Sequence, residues 1–189
     1  MRLQYCVFPA TLLATLLAVG PARPADSAST EIQMTGYAQP VCNLPGGTQT
    51  SASNATYSNG VLTISSLLDA NTATVKAASV KITFPDVMCN YKATISIGSL
   101  NGGLKTDGIT TNLSGDFLEK VPYKIEGTWG GVALPTLDTN TAGVEPVTKD
   151  AGGANRGTLE LTVSTVAGNT PVIEGQMSDS IVIKIGAPV

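Results

Sequence analysis

Over much of the chain, apolar and polar residues alternate with a period of two. Val80, Ile82 and Phe84 are separated by Lys81 and Thr83, and Ala93, Ile95 and Ile97 by Thr94 and Ser96. Leu159, Leu161 and Val163 flank Glu160 and Thr162, and Ile181, Ile183 and Ile185 alternate with Ser180, Val182 and Lys184. Successive side chains of an extended strand point to opposite faces, so this pattern predicts half-buried strands with one face on a core. Further strands are expected over residues 31–38, 61–66 and 122–127. Only residues 65–78 are a candidate for a helical turn, and their Thr and Asn content disfavours even that.

Turn signals separate these segments: Ser58-Asn59-Gly60, Asn101-Gly102-Gly103, Gly130-Gly131 and Gly152-Gly153. Glycine and asparagine tolerate the positive φ that tight turns require. About seven short strands with such breaks predict one all-β sandwich. The longest irregular stretch, residues 135–156, is a functional or mobile loop, or it hides a short strand near residues 144–148. No internal repeat or linker divides the chain.

The first 25 residues read as a secretory signal. Arg2 supplies a positive start, residues 7–19 are uncharged and mostly apolar, and small residues follow in Gly20-Pro21-Ala22-Arg23-Pro24-Ala25. An apolar stretch this short falls below the ~20 residues a spanning helix needs, so no transmembrane anchor is expected. Export changes the cysteine arithmetic. Cys6 leaves with the leader, and Cys42 and Cys89 remain as an even pair in an oxidising compartment. They read as one disulfide, with two buried free thiols as the alternative.

Composition narrows the chemistry. The chain has 11 basic and 14 acidic residues, net −3, which lacks the basic footprint that nucleic-acid binding requires. It contains no histidine, which removes Ser-His-Asp, Cys-His and His-ligated zinc sites together. No cofactor, metal site or catalytic centre is expected. Asp116 and Asp179 form no evident acid pair. The Gly-rich run 152–157 lacks the strand–loop–helix context and the Gly-Lys-Ser/Thr ending of a phosphate loop. Trp129, beside a Gly-Gly turn, is either core or a sugar-stacking platform.

A resemblance rests on three features. A strand runs directly into the second cysteine (Ser79-Val80-Lys81-Ile82-Thr83-Phe84-Pro85-Asp86-Val87-Met88-Cys89), and an alternating strand leads into Ser99-Leu100-Asn101-Gly102-Gly103-Leu104. The chain closes with Gly175-Gln176-Met177-Ser178-Asp179-Ser180 and then the Ile181–Ile185 alternation, Met177 standing where the family carries Tyr. In these features residues 31–189 resemble the pilin subunits of chaperone–usher fimbriae, including the spore coat protein U-like secreted pilins.

The resemblance implies an immunoglobulin-like sandwich that is incomplete by one strand, spanning residues 37–189 behind an N-terminal extension at residues 26–36. It implies a periplasmic chaperone and an outer-membrane usher as partners. Other pilin subunits would then complete the sheet, and the chain would pass through the periplasm to a surface fimbrium serving adhesion or biofilm formation. Ile32 and Met34, with Ala28 and Thr30, would form the donated strand, and Leu159, Leu161 and Val163 would wall the acceptor groove. Ile32 and Met34 fit equally well as first-strand core residues, with only residues 26–30 free. The competing functional expectation is a secreted monomeric binding module, such as a tip adhesin or carbohydrate binder, using the 135–156 loop.

Overall fold

The computed structural model describes residues 28–108 and 110–187, so the leader assigned to residues 1–25 lies outside the described residues. The chain divides into two units, Met1–Tyr37 and Ala38–Val189. In the first, residues 28–37 carry no strand, which corrects the one expected over residues 31–38. Ile32 is 81% exposed and Met34 92% exposed.

Among its described residues, the second unit is all-β apart from one helical turn. Its elements in chain order are β1 (Cys42–Asn43), β2 (Thr48–Ser53), β3 (Ala55–Ser58), β4 (Val61–Ile64), β5 (Ala78–Cys89), β6 (Thr94–Ser99), β7 (Leu104–Thr106) and β8 (Lys120–Val121). They continue with β9 (Tyr123–Trp129), β10 (Val132–Ala133), β11 (Leu137–Asp138), α1 (Thr139–Ala142), β12 (Val147–Asp150), β13 (Asn155–Thr165), β14 (Met177–Ser178) and β15 (Ile181–Gly186).

Two antiparallel sheets form an immunoglobulin-like sandwich. The larger runs β1-β5-β13-β9-β10, with β2 also pairing β5 and β11 also pairing β9. The smaller runs β12-β6-β15. Their inner faces share one core: Val80, Ile82, Phe84, Leu161 and Ile125 from the larger sheet pack with Ile95 and Ile97 from the smaller. The strands read from alternation are β5, β6, β13 and β15, and they include the two longest, β5 and β13. Several of the additional strands are two-residue pairs with no periodicity to read. The 135–156 stretch contains β11, α1 and β12, the last at Val147–Asp150. Residues 65–78 form no helix and are bridged at Leu68 and Val75 instead. A smaller sheet, β14-β7-β8, covers a second cluster around Val75, Val121 and Val172.

One irregularity sets the inside of β5. Ala78, Val80, Ile82 and Phe84 face the core, and then the alternation slips so that Val87 and Cys89 face it. Between them Pro85 precedes Asp86, whose φ is +50°, and the pairing with β13 shifts between Gly157 and Leu159. This is a β-bulge: one extra residue on β5 resets which face the following side chains occupy. The reset turns Cys89 inward, directly opposite Cys42 in the β1–β5 register, and the two form a disulfide. Trp129 packs into the same core at 1% exposure, its indole Nε1–H donating to the Val87 carbonyl at 3.2 Å. Its role is packing.

Candidate functional site

The two faces of the sandwich do not close completely. Ile183 and Ile185 of β15 lie directly opposite Ile97 and Ile95 of β6. The β6 pair is 3% and 2% exposed, whereas Ile181, Ile183 and Ile185 are only partly buried. Neighbours on one sheet face differ this much only when something that covers one strand stops short of the next. β15 is also the end of its sheet, pairing β6 on one side and no described strand on the other. At the edge of the opposite layer, all six residues of β2 are exposed, so no described strand covers that edge either.

An open cleft of about 440 Å³ runs beside β15. Its floor is Ile82 and Phe84 of β5 with Leu161 and Val163 of β13, and Ile181 and Ile183 form one wall. Tyr57, Leu62 and Ile64 from β3 and β4 form the other wall. Leu161 and Val163, two of the three residues expected to wall an acceptor groove, lie on the floor of this cleft. Leu159 is fully buried between Phe84 and Trp129 and is not part of the lining. The strand expected over residues 61–66 is β4, and the turn at Ser58-Asn59-Gly60 joins it to β3; that the hairpin walls a cleft had no local signal.

One end of the groove is polar and centred on Asp179. Its Oδ2 accepts hydrogen bonds from Ser99 Oγ, from Tyr123 Oη at 2.8 Å and from the Gly103 amide at 3.1 Å. Its Oδ1 accepts from the amides of Asn101 at 2.9 Å and Ser180 at 2.6 Å. Asp179 thus fastens the start of β15 to the end of β6, to β9 and to the Asn101-Gly102-Gly103 turn. Burial alone would raise its pKa, but the donors from Ser99, Asn101, Tyr123 and Ser180 outweigh burial and hold the carboxyl below its ordinary value. Burial, reinforced by the Asp179 carboxylate, raises the Tyr123 hydroxyl well above its usual range and keeps it a donor.

A carboxyl held low in the folded state stabilises the fold above its unfolded pKa of about 3.9, and that contribution is lost as pH falls through the folded value. Asp179→Asn should therefore lower the thermal midpoint at pH 7, with the gap to wild type narrowing as pH drops below about 4. Melting curves between pH 3 and 7 test this; a gap that is constant across the range would contradict it.

The arrangement suits an extended apolar segment, whose backbone would pair with β15 and whose alternate side chains would enter the groove. Among the described residues, no cluster of histidine, cysteine or carboxylate side chains could hold a metal ion. No protein-family model matches the chain, and no curated protein matches it.

Proposed function

We propose that the protein is a structural subunit of a surface fimbria, assembled by donor-strand complementation. Its incomplete sandwich is first held by a periplasmic chaperone. It is then delivered at an outer-membrane usher to the N-terminal extension of a neighbouring subunit, and the fibre serves adhesion or biofilm formation. The observation that carries this reading is the groove along the unpaired edge of β15, floored by Leu161 and Val163. An open sheet edge beside apolar pockets invites uncontrolled pairing and is normally blunted. The opposite edge of the same sheet is blunted: Pro146 precedes β12, and Lys149 and Asp150 lie on it, Asp150 paired to Lys92 at 2.9 Å. The β15 edge carries only Lys184 among its isoleucines and Val182.

The donor in this reading is the extension of a second copy, with Ile32 and Met34 entering the groove. Their exposure supports it, because a subunit's own core residues would be buried. The exported protein should form ladders that survive SDS and collapse to a single band on boiling. A purified protein that stays monomeric at high concentration, stable and with its groove empty, would favour the monomeric binding module instead.

A further inference from the structure

We propose that the β3–β4 hairpin is a hinged flap over the groove, which opens to admit an incoming strand and closes on it. The inference rests on the donor-strand reading of the groove and concerns how that site is regulated.

The hairpin is local in origin. Asn59-Gly60 at its tip takes φ values of +51° and +81°, the geometry of a tight two-residue turn whose twist suits antiparallel strands. Its four residue pairs, from Ala55–Ile64 to Ser58–Val61, make a two-stranded sheet that joins neither layer of the sandwich. A two-stranded ribbon without sheet neighbours is marginal by itself and depends on the surface it rests upon.

Its attachment is firm at the base and slight beyond it. Asn54, at φ +53°, turns the chain out of β2. Its Oδ1 accepts from the Ser66 amide at 3.0 Å, and its Nδ2 donates to the Ser66 carbonyl at 2.7 Å and the Ala77 carbonyl at 3.2 Å. The Ser65 amide donates to the Asn54 carbonyl at 3.0 Å, so both stalks are clamped at one point. Further out, among the described residues, the one hydrogen bond to the rest of the unit runs from the Tyr57 amide to Gln49 Oε1, at 2.6 Å on an exposed strand.

The underside is loosely seated. Ala55 at the clamped base is buried in the core, but Tyr57, Leu62 and Ile64 are only partly buried, whereas Leu161 on the groove floor is 2% exposed. Gaps lie on both sides of the same side chains: the main groove, and a smaller void between Leu62, Ile64, Val80 and Val163. A segment with few buried apolar contacts, clamped at one end, opens locally at a small fraction of the global unfolding free energy. An apolar strand laid beside β15 would fill the space beneath Leu62 and Ile64, giving the closed flap a reason to stay closed.

The test uses the exported chain carrying Ile32→Asp and Met34→Asp, whose own extension is disabled, and a synthetic peptide of residues 28–38. Amides of residues 55–64 should exchange about 100-fold faster than those of β5 and β13, and saturating peptide should slow them. Adding Gln49→Ala, which removes the exposed tether, should raise the peptide association rate about threefold or more without moving the thermal midpoint. Hairpin amides as protected as β5 in the free protein, or an unchanged association rate in Gln49→Ala, would overturn the flap even though peptide binds. Failure of the peptide to bind both this protein and a variant with residues 55–64 replaced by a short glycine-serine loop would instead overturn the donor-strand reading beneath it.

Discussion

Replacing Cys42 and Cys89 together by alanine should destabilise the protein by about 4 kcal/mol, the chain-entropy value for a closed loop of this length. For a chain of this size that corresponds to a fall of roughly 8–16 °C in thermal midpoint. The bridge spans 47 positions and ties the two-residue β1 to the far end of the longest strand. β1 pairs through Cys42–Cys89 and Asn43–Met88, and the segment before it is held by Asn90, whose amide donates to the Val41 carbonyl at 3.0 Å, whose Oδ1 accepts from the Val41 amide at 2.7 Å and whose Nδ2 donates to the Gln39 carbonyl at 2.7 Å. Cys89 is 1% exposed, so its truncation also removes packing next to the bulge. Melting curves of wild type and double variant produced under oxidising conditions, with and without reductant, measure the effect. Wild type under reductant should approach the variant. Midpoints within about 1 °C of each other would show that the loop constraint is not what holds β1.

Alternation told which segments are strands because the side-chain period of a strand is fixed by the backbone. It could not tell which strands meet. The groove is walled by residues 57–64 on one side and 181–183 on the other, more than a hundred positions apart, and no local pattern records that approach. Parity also misleads at Cys89. Counting by twos from Val80, Ile82 and Phe84 puts residue 89 on the outer face, yet the bulge at Pro85-Asp86 turns it inward. The proline was the available signal, since within sheets it is confined to edges, strand starts and bulges. Asp179 was visible as part of a C-terminal motif, but its partners were not. Ser99, Asn101, Gly103 and Tyr123 reach it across 56 to 80 positions through hydroxyls and backbone amides. Leu159 was grouped with Leu161 and Val163 because all three share a strand face. The face is shared, but the core closes over Leu159 where Trp129 packs beside it, and it stays open at Leu161 and Val163.

If the protein assembles by donor strands as proposed, changing Ile32 and Met34 together to aspartate should abolish fibre assembly and leave the sandwich intact. An Ile or Met side chain moved from water into an apolar pocket contributes about 1.5–3 kcal/mol, so the pair supplies roughly 3–6 kcal/mol of the donor's binding. That alone is about two to four decades in affinity. Two carboxylates in place of these side chains add a desolvation penalty against a groove floored by Leu161, Val163, Ile82 and Phe84. On this proposal the sandwich should lose nothing, in keeping with the 81% and 92% exposure of Ile32 and Met34. The comparison is made on two fractions: subunit recovered on its chaperone from the periplasm, and protein in heat-dissociable surface fibres. The expected result is a normal chaperone complex with no fibres. Normal fibres from the double variant would refute the donor assignment. Loss of both fractions, with a lowered thermal midpoint in the purified variant, would mean that Ile32 and Met34 support the fold itself.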